Sequence, residues 1–336
     1  MTTSLTQTHV MSRAAQVANL HASRNAFIDY RSRKARNTIA AQDAALKAFK
    51  QFLASANIGT GDLSLDPEAW RGVTFGIVEA FIKWQLQQGY SIGTINLRLT
   101  AVKVYARLAF KAGVIDVADH ALIRSVQGYG HKEGKRVDAG RDVARVGSKK
   151  AESVSLTAEQ AERLKAQPNT PQGRRDALML CLLIDLGLRA GEVVELKTKD
   201  VNLKAGVITF HRPKVDKIQT HKMINGLANA MRRYFESGDA LKSGALIRAS
   251  VKGGKLSRGG MTRFGIAKRV QELGAVVGLD HLSPHDLRHY WATQAARNGT
   301  QVDRLQDAGG WNSPAMPLRY VEKAAIANDG VKLASI

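Results

Sequence analysis

Among 336 residues the chain has a single cysteine, Cys181, set inside an apolar stretch. That excludes an intramolecular disulfide and any multi-thiolate zinc site, and makes a reducing compartment the natural setting. Acids are scarce: 29 Asp and Glu face 50 Lys and Arg, for a formal net charge of +21. An ordinary metabolic enzyme is not so basic. No apolar run is long either, since the cleanest, residues 177–184, falls well short of the roughly 20 residues a membrane helix needs. The first twenty residues lack a basic segment leading into an apolar one, so no secretory signal is expected, and a cytoplasmic, nucleoid-associated location is. The Gly- and Ser-rich stretch 237–260 lacks the Gly-Lys-Ser/Thr signature of a phosphate-binding loop, and no internal repeat is seen.

What remains is a globular composition, with 44% hydrophobic against 24% charged residues supplying apolar material for genuine cores, in a length that suits about two domains. The positive excess requires a polyanion. Because Lys and Arg are spread through both halves rather than gathered in one polybasic run or amphipathic helix, nucleic acid comes before a membrane surface.

Residues 1–22 are small and polar and read as a flexible tail. A helical domain is expected over 23–130. Leu46, Phe49 and Leu53 mark one helix, and Val78, Phe81, Ile82 and Leu86 another. A third carries Ile92, Ile95, Leu99, Val102, Ala106 and Ala109 and stops at Gly113. On that third helix Lys103, Arg107 and Lys111 recur at four-residue steps, and with Arg98 they are the candidate DNA-backbone contacts; a solvated basic face accounts for them equally. Between 131 and 150 seven Lys and Arg stand against three acids with three glycines, so 131–153 reads as a basic linker.

A second domain is expected over 154–326, with a tail at 327–336. The second half of 174–186 is too hydrophobic all round for a surface helix. Val207, Ile208 and Phe210 read as a strand, 214–217 as a turn and 218–224 as the returning strand, the only convincing sheet; 237–260 reads as a mobile loop. Ser283-Pro284-His285-Asp286 is a strong helix start, ended at Asn298-Gly299.

In chain order this domain offers Arg189 with Glu192 three residues on, Lys214 in the hairpin turn, His285 and Arg288 on the capped helix, Trp311 after two glycines, and Tyr320. As an ordered set they resemble the tyrosine recombinase (phage integrase) family, whose catalytic domain carries Arg-x-x-Glu, a hairpin Lys, His-x-x-Arg, Gly-His or Gly-Trp, and a late Tyr. The basic helical segment before them is similar to that family's core-binding domain. The resemblance implies a mainly α fold with a small antiparallel β-sheet, arranged as a two-domain C-shaped DNA clamp. It implies a site-specific recombinase in which Tyr320 forms a 3′-phosphotyrosyl intermediate, and two strand exchanges pass through a Holliday junction. It also implies a homo-tetramer on two double-stranded DNA sites, with the segment after Tyr320 docked on a neighbouring protomer; packing in cis is the alternative. Lys214 would be the general acid for the departing 5′-hydroxyl, with Lys217 as its competitor.

Physical chemistry supports the same residues. Planar cations such as Arg189 and Arg288 best meet the charge that develops on nonbridging phosphate oxygens, and Glu192 can orient Arg189 within one turn. His285 can exchange a proton near neutral pH. Only about a thousandth of an ordinary tyrosine is ionised at pH 7, so Tyr320 needs cations nearby. Trp311 departs from the commoner His; indole donates one N–H and is no base. The protein link conserves bond energy, so neither cofactor nor metal is expected. A type IB topoisomerase, a telomere resolvase-like strand transferase and a non-catalytic DNA-binding protein of the same fold are the rival readings. The target sequence, the biological role and any accessory directionality factor are not set by the sequence.

Overall fold

The structure, a computed structural model, describes residues 2–144, 146 and 153–324. The expected docking segment beyond Tyr320, from residue 325 onward, and residues 145 and 147–152 of the expected linker lie outside the described residues. Two compact units divide the chain, residues 1–149 and 150–336.

The first unit is built of helices α1 (Thr2–Ser32), α2 (Arg36–Ser55), α3 (Phe75–Gln87), α4 (Ile92–Lys111), α5 (Val117–Ser125) and α6 (His131–Ala139). Helix α4 is its axis. Ser91 caps it, and Ile95, Leu99, Val102, Tyr105, Ala106 and Ala109 are buried against α1, α2, α3 and α5. Phe49 of α2 sits between Trp70 and Phe81 at ring separations of 5.8 and 5.0 Å, and the Trp70 Nε1 donates to the Leu63 carbonyl at 2.9 Å.

Two segments of this unit differ from their sequence reading. Residues 2–22, expected as a tail, are the first part of α1; its inner end buries Ala26 and Phe27, and Arg31 bonds Asp43 (2.6 Å) and the Tyr105 hydroxyl (2.9 Å). Residues 131–139, expected as linker, form α6. Here Glu133 accepts the Gly130 N–H at 3.2 Å, and Gly134 lies so close to Ile92 that a Cβ would stand 3.0 Å from it. Arg141 then donates to the carbonyls of Leu86 and Tyr90, so the segment belongs to the first unit.

The second unit comprises α7 (Ala158–Lys165), α8 (Pro171–Ile184), α9 (Ala190–Glu195), β1 (Val201–Asn202), β2 (Val207–Arg212), β3 (Lys217–Lys222), α10 (Asn225–Glu236), β4 (Arg248–Ser250), β5 (Leu256–Gly260), α11 (Arg263–Val276), α12 (Pro284–Arg297), α13 (Val302–Gly309) and α14 (Ala315–Ala324). Helix α8 starts at Thr170 and Pro171 and is buried at every position from Leu178 to Ile184, as its all-round hydrophobicity requires. Strands β1, β2 and β3 form one antiparallel sheet in that order, with Thr209 opposite Thr220. The stretch 237–260, expected as a loop and outside the only sheet, contains a second one: β4 pairs with β5 through Arg248 and Gly260 and through Ser250 and Leu256. The Arg248 side chain bonds the carbonyls of Leu256 and Ser257 and pins the hairpin to its own backbone.

Candidate active site

Arg189 ends the turn after α8 and caps α9. The Glu192 carboxylate takes the Arg189 N–H at 2.8 Å and its Nη1 at 2.7 Å, so a single acid in the first turn both caps the helix and aims the guanidinium. The arginine is a quarter exposed while Glu192 is buried. Its Nη2 donates to the Gly310 carbonyl at 3.1 Å. The turn requires glycine at 187, where φ is +59° and a Cβ would stand 2.3 Å from the Trp291 ring.

Helix α12 begins as its sequence predicts, with Pro284 in the first turn and the Asp286 carboxylate accepting both the Ser283 N–H (2.8 Å) and its hydroxyl (2.6 Å). That fixes the frame in which Arg288 turns inward. Its Nη1 donates to the Gly187 carbonyl and its Nη2 to that of Gly309, each at 2.5 Å, and its guanidinium lies 4.6 Å from the centre of the Trp311 ring. Burial first, and then the charge of Arg189, lowers Arg288 to about 9, which leaves it a cation at neutral pH. His285 stands exposed one turn before His289, and the two Nε2 atoms are 2.9 Å apart.

Helix α13 ends at Gly310 in the left-handed region, where the Gly310 and Trp311 N–H groups close back on Asp307 and Gln306. This reversal points the Trp311 ring at Tyr320 of α14, 5.6 Å centre to centre, while the His289 ring faces the same tyrosine at 5.2 Å. Tyr320 is buried, and among the described residues its hydroxyl has no hydrogen-bond partner. Burial raises its pKa, against the pull of Arg288, Arg189 and then Arg319. Arg189, Arg288, Trp311 and Tyr320 thus converge, and His285 pairs with His289, whose ring packs against Tyr320. Neither His289 nor Trp291 was singled out in the sequence; the four-residue step from His285 to His289 on one helix was the available signal.

Lys214 stands exposed in the turn 213–216 between β2 and β3, and among the described residues no hydrogen bond or ion pair joins it to the converging group. Its competitor Lys217 is engaged, with Nζ 2.5 Å from the Asp307 carboxylate. At the root of the same turn lies Arg212, wholly buried and 3.6 Å from Glu192. Beside it His221 is lowered from 6.5 to about 4, by burial and then by the Arg212 charge. An unfolded His221 takes up a proton as pH falls through about 6.5, whereas the folded one resists until about 4, so stability is lost across that window. Wild type should lose on the order of 2 kcal/mol more than His221→Asn between those pH values in denaturant melts. Parallel curves would contradict this.

The four candidate DNA contacts on α4 part company. Arg107 and Lys111 are exposed. The Lys103 ammonium donates to the Val126 carbonyl at 2.7 Å, and Arg98 lies 4.0 Å over the Tyr90 ring. Among the described residues no group of three His, Cys, Asp or Glu is placed to hold a metal ion. No helix of the described residues is long and apolar enough to cross a membrane.

The profile of the phage integrase family matches residues 154–325. Tyrosine recombinase XerD of Neisseria meningitidis serogroup A is 35% identical over 155 residues, 45% of this chain and 52% of that relative, so the chain matches about half the length of that curated protein. Tyrosine recombinase XerC of Roseiflexus castenholzii is 28% identical over 283 residues, 82% of this chain and 80% of the relative. A lambda integrase dimer bound to a COC′ core site shares the fold, with a TM-score of 0.61 at 18% identity, over 94% of this chain and 98% of that one.

Proposed function

Because the chain belongs to the phage integrase family, we propose that it is a site-specific tyrosine recombinase acting on double-stranded DNA. The observation that carries this reading is the convergence of two carbonyl-anchored guanidinium groups, Arg189 and Arg288, with Trp311 on a buried tyrosine. The phenolic oxygen of Tyr320 attacks a backbone phosphorus, and the P–O5′ bond breaks. Its proton passes toward the His289–His285 pair, and the leaving 5′-oxygen takes one from Lys214. Arg189, Arg288 and the Trp311 N–H hold the nonbridging oxygens. A 5′-hydroxyl from a second duplex then attacks the 3′-phosphotyrosine and regenerates the phenol, and a second round resolves the four-way junction within a tetramer. Arg107 and Lys111 contribute phosphate contacts whose strength falls with salt.

Trapping is the test. The intact chain is incubated with fragmented genomic DNA from its source, denatured, and the covalently held strands are sequenced. A shared cleavage position with the protein on the 3′-phosphate supports the proposal, and recombination between two cloned copies of that site separates it from topoisomerase action. Absence of any covalent DNA would overturn it.

A further inference from the structure

One buried charge takes no part in the chemistry described above. Arg212, the last residue of β2, is inaccessible to solvent, and its Nε and Nη1 lack hydrogen-bond partners among the described residues. A guanidinium so placed carries a desolvation penalty unless its neighbours are arranged around it. They are: the Ala308 carbonyl accepts from Nη2 at 2.8 Å, His221 Nε2 lies 3.4 Å away, and Glu192 faces Nη1 at 3.6 Å. Gly310 closes the remaining side, since a Cβ there would stand 2.5 Å from Nη1.

These partners belong to different parts of the site. Ala308 and Gly310 lie in the segment that delivers Trp311 and supplies the carbonyls holding both catalytic arginines. Arg212 itself is the root of the turn that carries Lys214. From the other strand of the hairpin, Lys217 and Gln219 reach the same helix end, with Gln219 Nε2 2.9 Å from the Asp307 carbonyl. Both strands of the hairpin are therefore tied to the last turn of α13, and Arg212 is the tie nearest Lys214.

We propose that Arg212 is a positioning residue for Lys214, joining the root of the hairpin to the Ala308 carbonyl so that the lysine meets the leaving 5′-oxygen. This rests on the strand-cleavage reading above. Action through Arg189 is the competing route, but both Glu192 oxygens are already taken by Arg189 at 2.7 and 2.8 Å, whereas the bond to Ala308 is direct.

The test uses two nicked suicide duplexes, one with an ordinary phosphodiester and one with sulfur in place of the bridging 5′-oxygen. In both, the bond from Tyr320 to phosphorus forms as the bond to the 5′-atom breaks. An alkoxide must be protonated as it leaves, but a thiolate departs without a proton. Arg212→Met should leave DNA binding intact and slow adduct formation about 100-fold on the oxygen duplex, yet fall within about threefold of wild type on the sulfur duplex. Lys214→Ala should show the same pattern. Arg212→Lys, which keeps the charge and loses the planar fork, should show a smaller loss with the same sulfur rescue, and it serves if the methionine variant does not fold. An equal loss on both duplexes, or no loss on the oxygen duplex, overturns the role of Arg212 while leaving strand cleavage standing. A wild-type chain that forms no adduct on either brings down the strand-cleavage reading itself.

Discussion

Tyr320→Phe is expected to form no covalent adduct on a duplex that traps the wild-type protein, while binding that duplex with unchanged affinity and melting at the same temperature or slightly higher. The substitution removes one oxygen from a ring held between Trp311 and His289. That oxygen makes no hydrogen bond among the described residues. A buried hydroxyl left unsatisfied costs about 1–3 kcal/mol, so its removal leaves packing intact and relieves a penalty. No other atom of the variant can take its place, because phenylalanine offers no nucleophile. Gel-shift binding, a thermal melt and a denaturing gel for the adduct give the three readouts. An adduct in the variant would remove Tyr320 from the chemistry, and a large fall in melting temperature would show that the hydroxyl is bonded in solution.

The same geometry implies that the resting tyrosine is not yet poised. Burial holds the phenol above its ordinary pKa although Arg288 and Arg189 pull it down. A phosphate between the guanidinium groups and the ring would give the hydroxyl a partner and draw it out of its aromatic slot. On the strand-cleavage reading proposed above, DNA would then be both the substrate and the means by which the nucleophile becomes exposed.

Much of this site was legible because its elements carry local signals. The Arg189–Glu192 spacing, the Ser283-Pro284 start and a hairpin after Val207 each follow from residues near one another in sequence. The structure places the first two as read, and it begins the returning strand of the hairpin at Lys217 and ends it at Lys222, rather than over 218–224. Arg212 was not legible. An arginine two residues before Lys214 reads as one more surface cation, and its burial depends on α13, some 90 residues later, folding its last carbonyls over it. The stretch 237–260 was missed for a related reason: its glycines weaken any strand propensity, and the hairpin depends instead on side-chain bonds from Arg248. Helix α6 has scarcely an apolar residue to set a period, and its place comes from a glycine packed on Ile92. Where tertiary contact alone decides, periodicity has nothing to report.

Arg288→Lys should be the most damaging conservative change in the second unit, lowering both its stability and its rate of adduct formation. The arginine spans two carbonyls from opposite sides of the site, Gly187 in the turn before Arg189 and Gly309 in the turn before Trp311, with one donor for each. A lysine ammonium keeps the charge but is a single point. It can reach one carbonyl and leaves the other buried without a donor, at a cost of about 1–3 kcal/mol. The loss of the stacked plane over Trp311 adds to it. Catalytically the cost is larger, because Gly187 and Gly309 adjoin the residues that place Arg189 and Trp311, so one substitution loosens three donors to the phosphate at once. Removal of one preorganised donor typically lowers such a rate by about 100- to 1000-fold, and the coupled loss here is expected at about 1000-fold or beyond. Adduct formation measured well below the variant's own melting temperature separates the two effects. A lysine variant that melts lower but cleaves at the wild-type rate would mean that Arg288 serves the fold alone, and that the cation facing the phosphate is Arg189.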